Sequence, residues 1–333
     1  MRIYFMAIGS MRSTKQRNST WRRSALSGGL ALAVCGCIGP SLEAPDVIGS
    51  APPIGTLMQV NGVTVHAWEA GSGPAVILLH GASGNLRDFT FDLAPRLAAS
   101  YRVIAFDRPG LGYSDGLHAR GESPAEQAAL LSDAARQMGV DRAIIVGHSY
   151  GGAVAMAWAL NHREQAAAVV SLAGAIQPWQ GGLGSWYWLT SSKIGGATIV
   201  PLVAALAPRS RALRAIESIF TPDPVPLGYV DYVGVDLTLR APTLRANSRQ
   251  VNSLITRVTA MALRYSSLTL PIEVVHGTRD DTVPIATHSE PLILQATSAR
   301  LTRLEGVGHM PHHADVAASL AAIDRAATRA GLR

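Results

Sequence analysis

Cysteine is nearly absent from this 333-residue chain: there are two, Cys35 and Cys37, both near the N-terminus. That excludes a disulfide-stapled scaffold and a four-cysteine zinc module. Acidic residues are missing from residues 1–36, which hold Arg2, Arg12, Lys15, Arg17, Arg22 and Arg23. The whole chain has 29 basic and 23 acidic residues, so those six account for the formal charge of +6 and leave a formally neutral body. The basic excess is therefore no footprint of nucleic-acid binding. Charged residues make up only 16% of the chain and hydrophobic ones 48%, ample for a sizeable core. Wholesale disorder is excluded.

The first 36 residues read as an export signal. A basic stretch ends at Arg23, and a mildly apolar run follows from Ala25 to Gly36 (ALSGGLALAVCG). Positive charge followed by a short apolar run is a secretory layout. The run is about 12 residues, short of the roughly 20 that a spanning helix needs. It ends in VCGC, Val34 to Cys37, which resembles a bacterial lipobox with Cys37 as the lipidation acceptor and an unusual Cys35 before Gly36. Acyl chains on Cys37 would attach the protein to a membrane. Ordinary cleavage near Gly36 to Gly39 gives instead a periplasmic or secreted product. Met1 and Met11 both stay open as the start. Residues 37–53, rich in Pro, Gly and Ser, read as a tether.

The body alternates strands and helices. TLMQV and VTVHAW flank Asn61–Gly62, a dipeptide that favours a type I′ hairpin turn. Continuous apolar runs follow at 75–79, 102–107, 142–147, 168–174 and 272–277, as expected of strands buried on both faces of a parallel sheet. Ser123-Pro124-Ala125-Glu126 has capping-box spacing, with Pro at the first helical position. Helical patterns also cover Ala153 to Leu160 and Ala314 to Ala330. The alternation predicts a mostly parallel, doubly wound α/β sheet. Residues 176–268 break the rhythm and read as a mostly helical insertion. The expected layout is thus core over 54–175, insertion over 176–268 and core again over 269–333.

The residues with chemistry sit at strand ends. Gly147-His148-Ser149-Tyr150-Gly151 follows a strand and precedes an Ala-rich helix, the context of a nucleophile elbow with Ser149 at its apex. A serine hydroxyl needs a base. His309, in the loop after the last strand, is the candidate among ten histidines. A carboxylate must orient the imidazole, and GTRDDTVP (277–284) supplies one. The order Ser, Asp, His along the chain is that of α/β-hydrolases.

The sequence resembles this large family, which includes esterases, haloperoxidases and carbon–carbon bond hydrolases. LLHGASG (78–84), DRPGLGYSD (107–115), GHSYGG (147–152), and GTRDDTVP with GVGHMPHH carry the resemblance from about residue 57 onward. It implies an α/β-hydrolase fold with a helical cap. It puts the acid at Asp280 rather than Asp281, and an oxyanion hole at the backbone N–H groups of Ala82 and Tyr150. Neither metal nor organic cofactor is implied, and the H-x-x-H-H spacing of His309, His312 and His313 is no standard zinc pattern. His80 and His148 are expected to be structural, and Asp107 to Gly110 to brace a loop. The Trp/Tyr cluster at 179–188 is either cap core or pocket lining. The expected activity is hydrolysis of a small hydrophobic carboxylic ester, with haloperoxidase, perhydrolase or carbon–carbon bond chemistry as alternatives on the same triad. A non-catalytic exported ligand-binding lipoprotein is the rival from another class. Oligomeric state is left open.

Overall fold

The computed structural model describes residues 51–333 apart from 119, 182–184 and 207. The leader, most of the expected tether and Cys37 lie outside the described residues. The tether's last residues, 51–53, are pinned to the body. The carbonyls of Ala51 and Pro52 accept hydrogen bonds from the Tyr113 hydroxyl and the Arg87 guanidinium.

Eight strands form one sheet in the order β1-β2-β4-β3-β5-β6-β7-β8. The opening hairpin joins β1 (Thr56–Val60) to β2 (Val63–Ala70). Its turn holds Asn61 and Gly62 at φ 52° and 80°, the two left-handed positions that a type I′ turn requires. β2 pairs antiparallel with β4 (Arg102–Phe106). From β4 onward every pairing is parallel, through β3 (Ala75–Leu79), β5 (Ala143–His148), β6 (Ala166–Leu172), β7 (Ile272–Gly277) and β8 (Ala299–Leu304).

Every residue of β3, β5, β6 and β7 is buried. Ile77, Leu79 and Ile145 face one apolar layer, and Val76, Leu78, Ile144 and Val146 face the other. Alternation of side chains across the sheet thus turns one unbroken apolar run into two cores. Burying each such side chain contributes about 1.5–3 kcal/mol, so a charge at Ile145 would break the fold.

The helices on the second layer are α1 (Arg87–Thr90), α2 (Leu93–Leu97) and, at the end of the chain, α13 (Val316–Arg329). The first layer carries α3 (Pro124–Gln137) and α4 (Tyr150–Asn161). The capping box of α3 forms: the Ser123 hydroxyl accepts from the Glu126 amide, and the Glu126 carboxylate accepts from the Ser123 amide. Such a cap contributes about 1 kcal/mol. Helix α4 is apolar all round and almost wholly buried, as a helix without a polar face must be.

Between β6 and β7 the chain leaves the sheet. It forms α5 (Ser185–Ser191), α6 (Lys193–Leu206), α7 (Arg209–Phe220), α8 (Tyr229–Val233), α9 (Val235–Leu239) and α10 (Ala241–Ala262). The chain then returns through β7, α11 (Ile285–Gln295), β8 and the short α12 (Pro311–Ala314). Among the described residues, no helix is long and apolar enough to cross a membrane.

Strand β3 lies between β4 and β5, so successive connections leave it in opposite directions. Ligands bind open α/β sheets at such a switch, beyond the carboxyl ends of the strands. The loop after β3 carries Ala82, and the turn after β5 carries Ser149.

Candidate active site

Ser149 follows β5 directly and is the first residue outside α4. Its backbone lies at φ 52°, ψ −117°, a conformation that costs a non-glycine residue about 1–3 kcal/mol. The strain is imposed by close packing of the turn. A Cβ at Gly151 would stand 2.0 Å from the Leu79 carbonyl oxygen, and one at Gly147 would stand 2.1 Å from that of Gly151. Only glycine at both positions lets the turn approach β3 this closely.

His309 comes from the loop between β8 and α12, and Asp280 from the loop after β7. The His309 Nδ1–H donates to Asp280 Oδ2 at 2.7 Å, and Nε2 lies 3.0 Å from Ser149 Oγ. With the proton on Nδ1, Nε2 presents its lone pair to the serine hydroxyl. Asp280 and His309 are buried, and Ser149 is half-buried. Asp280 Oδ1 accepts the amides of Thr282 and Val283 at 2.9 and 2.8 Å. Burial alone would raise the Asp280 pKa. The charge of the His309 imidazole and the hydrogen bonds from His276 and His309 outweigh that, holding the carboxyl below the usual carboxylate range. Asp281, the adjacent acid, points to solvent.

The amides of Ala82 and Tyr150 donate to no protein acceptor among the described residues. The loop bearing Ala82 abuts the serine, since a Cβ at Gly81 would lie 3.2 Å from Ser149 Cβ. His80 fixes this loop. Its Nδ1–H donates to the Gly81 carbonyl, and its Nε2 accepts the Arg108 amide. Burial first, and then the Arg108 charge, lower the His80 pKa to about 4. Arg108 is itself fully buried. It donates to the carbonyls of His80 and Gly81, to Gln127 on α3 and to Gln250 on α10, and it stacks on the Tyr150 ring at 4.4 Å. The expected brace at 107–110 is thus a clamp on the Ala82 loop.

The structure therefore brings together Ser149, His309, Asp280, Ala82 and Tyr150, drawn from four separate loops. It also adds groups that the sequence reading missed. His276 Nε2 lies 2.7 Å from the Val283 carbonyl and 3.0 Å from Asp280 Oδ2, while Nδ1 faces the Ser289 hydroxyl. Both neighbours of Nε2 are acceptors, so the proton sits there and the second histidine helps hold the carboxylate. His148 packs beside the turn as expected, with its Nε2–H on the His309 carbonyl.

Asp88 was also missed. Its carboxylate accepts from Tyr229, His312 and His313 at 2.8–3.1 Å. Burial opposes its ionisation, but the two imidazoles overcome this and keep it ionised. Burial, against the pull of Asp88, lowers the His312 pKa to about 4. Asp88, His148 and His312 bring ligand-type atoms within 4.8 Å of one another. Both carboxylate oxygens of Asp88 are engaged by protein donors, so the group reads as a buried hydrogen-bond network.

A pocket opens above Ser149. Its floor includes Ala82, Ser149 and His309, and its walls include Ala212, Ala215, Ile216 and Ile219 of α7 together with Val233 and Val235. Among the described residues, Asp88 is the one carboxylate on the wall, and no Lys or Arg lines the pocket. The aromatic cluster divides between the two expected uses. Tyr187 is buried and lines the pocket, Trp179 is buried in the core, and Trp188 projects to solvent.

A doubly wound sheet with a strained serine, an imidazole and a carboxylate on loops at its carboxyl edge defines the class of α/β enzymes built for hydrolysis. The chain belongs to the α/β-hydrolase fold family, whose pattern it matches over residues 74–315. It is 32% identical over 165 residues to a 2-hydroxy-6-oxo-6-phenylhexa-2,4-dienoate hydrolase of Comamonas testosteroni, a match covering 48% of this chain and 54% of that one. The chain spans about half the length of the first curated relatives it matches. Among solved structures, it superposes on a meta-cleavage product hydrolase of Pseudomonas fluorescens with a TM-score of 0.66 at 21% identity, covering 83% of this chain and 99% of that one. It superposes on a thermophilic esterase of Thermogutta terrifontis with a TM-score of 0.64 at 18% identity, covering 83% and 97%. These two likenesses concern the fold.

Proposed function

We propose that the protein is a serine hydrolase that cleaves a neutral, largely apolar carboxylic ester through an acyl-enzyme. The observation that carries this reading is the hydrogen-bonded line from Ser149 Oγ through His309 to Asp280, set at the floor of a largely apolar pocket that has no Lys or Arg among the described residues. In this reading Ser149 Oγ attacks the ester carbon while His309 Nε2 takes the hydroxyl proton. The amides of Ala82 and Tyr150 receive the oxyanion, an interaction worth about 3–4 kcal/mol in comparable sites. His309 then gives its proton to the departing alcohol, and later activates the water that releases the acid. Asp280 stays ionised throughout and fixes the imidazole tautomer. The helices between β6 and β7 act as a cap that excludes water and selects the substrate.

Carbon–carbon bond hydrolysis is the second reading, favoured by the likeness to the dienoate hydrolase of Comamonas. A dienoate carries a carboxylate, and burying one without a cation is costly. This pocket offers an ionised Asp88 instead of a cation, which favours the neutral ester.

Labelling with a fluorophosphonate probe, followed by turnover of p-nitrophenyl esters of graded chain length, tests the proposal. Labelling of the native chain but not of Ser149→Ala is expected. A folded native chain that takes no label sinks it and leaves a ligand-binding role. Export is also part of the proposal, supported by the basic leader and the VCGC run. Mass spectrometry of the mature N-terminus distinguishes an acylated Cys37 from simple cleavage.

A further inference from the structure

The outer face of the helices above the pocket does not look like a protein surface made for water. A surface helix ordinarily buries one apolar stripe and turns polar residues outward. Helix α6 buries Gly195, Gly196 and Val200, yet Ile194, Leu202 and Leu206 on its outside are 79%, 58% and 71% exposed. On the neighbouring α5, Tyr187 points into the pocket while Trp188 is 68% exposed. Apolar residues clustered in this way mark an interaction site rather than scattered surface positions.

Charge sharpens the reading. From Gln165 to Ile216 there is no Asp or Glu, while Lys193, Arg209, Arg211 and Arg214 are all present. Lys193 opens α6, and the three arginines lie on the exposed side of α7, which follows α6 almost directly. Arg209 stands 3.5 Å from the exposed carboxylate of Asp231. Lys193, Arg211 and Arg214 make no ion pair among the described residues. Exposed aliphatic residues, one exposed Trp and a rim where four cations, Lys193, Arg209, Arg211 and Arg214, outnumber the exposed acids Glu217 and Asp231 are the chemistry that an anionic lipid surface recognises. The inner face of α7 lines the pocket through Ala212, Ala215, Ile216 and Ile219, so one helix serves both the pocket and the outer face.

We infer that the outer face of α5 and α6, with the basic rim of α7, is a docking surface for an anionic lipid bilayer. Leu202, Leu206, Ile194 and Trp188 enter the interface, and the arginines meet lipid phosphates. This inference does not depend on ester hydrolysis.

The test uses the full chain with Cys35→Ser and Cys37→Ser, so that a new cysteine at Leu202 is the only thiol. An environment-sensitive fluorophore at Leu202→Cys reads whether that position leaves water. The same label at Leu294→Cys, an exposed leucine on α11, is the control. Vesicles of mixed phosphatidylcholine and phosphatidylglycerol are expected to shift the label at 202 to the blue and leave that at 294 unchanged. Pure phosphatidylcholine, or Arg211→Glu with Arg214→Glu, is expected to weaken the apparent binding at least about tenfold. Turnover of a soluble short-chain ester, or circular dichroism if no ester turns over, shows that each labelled chain is folded. A label at 202 that stays in water beside anionic vesicles overturns the inference. So does a label already shifted without lipid. If that shift disappears on dilution, a second copy covers the face; if it persists, the chain's own N-terminal segment does.

Discussion

Two regions meet at the pocket, and they are built on different terms. At the sheet's carboxyl edge Asp280 and Arg108 are tightly partnered: both Asp280 oxygens are engaged, and Arg108 makes hydrogen bonds to four residues. In α5–α7, by contrast, the side chains facing the pocket are apolar and the outer face carries exposed Ile, Leu and Trp. The edge fixes a geometry, whereas the helices present a surface. A reaction needs the first because a misplacement of about 1 Å at the reacting atoms can cost about 100-fold in rate. Substrate choice needs only the second, since apolar contacts are not directional.

The largest break in this comparison is expected at its centre. Ser149→Ala should lower kcat for a short p-nitrophenyl ester by about 10⁴–10⁶-fold, judged by the loss seen when a nucleophile is deleted from such a triad. Thermal unfolding should stay close to that of the native chain, because the lost hydroxyl is half-buried and its partner His309 lines the pocket. A loss of only a few-fold would mean that the edge holds its geometry for some other purpose.

Asp280→Asn should follow, with kcat down by about 10⁴-fold. An amide can donate to His309 Nδ1 and so favour the tautomer that cannot accept the serine proton. A pH profile separates this from unfolding: a wrongly oriented base stays slow at every pH, while the melting temperature reports the fold.

Asp280 and Ser149 were legible because their information is local. A glycine on each side of Ser149, a strand before it and a helix after it all lie within a dozen or so neighbouring residues, and the acid sits in its own short motif. The sheet was legible for the same reason, since a strand buried on both faces needs a continuous apolar run. Asp88 was not. Its partners His312 and His313 are 224 and 225 residues away along the chain, and no local pattern marks a carboxylate that finds its hydrogen-bond donors across the fold. His276 was hidden differently, inside an apolar strand where one histidine gives no periodic signal. The two faces of α5 depend on how the helix is rotated: consecutive residues point about 100° apart, so Tyr187 and Trp188 part company for a tertiary reason.

Acid should expose the same contrast in stability. His80 and His312, buried at the edge, have pKa values lowered from 6.5 to about 4. The unfolded chain therefore binds more protons than the folded one between about pH 4 and 6.5, and stability rises with pH through that window. It is fully present above pH 6.5 and lost on acidification. The shift corresponds to an order of 3 kcal/mol for each fully buried imidazole. Melting temperatures from pH 7 down to 4.5 should fall steeply, and His312→Gln should flatten the slope. A flat profile for the native chain would show that these imidazoles are protonated without penalty. The outer face of α5–α7 has no buried titratable group in this set, so the lipid-facing variants should leave the slope alone.

The smallest effect tests whether the inside and the outside of the helices do separate work. Ile216→Trp adds bulk on the inner face of α7, where Ile216 lines the pocket. Shortening an apolar pocket discriminates by about 1–3 kcal/mol for each methylene displaced. Turnover of long-chain p-nitrophenyl esters should therefore fall about 10–100-fold in kcat/KM, and that of the acetate should hardly change. Trp188→Ser, one residue from Tyr187 but on the solvent side, should leave the whole chain-length profile intact for esters in free solution. If both substitutions shift the profile alike, the helices move as one lid and the two faces are coupled. If only Ile216→Trp does, selection belongs to the inner wall, and the outer apolar face is left for a partner that is not the substrate.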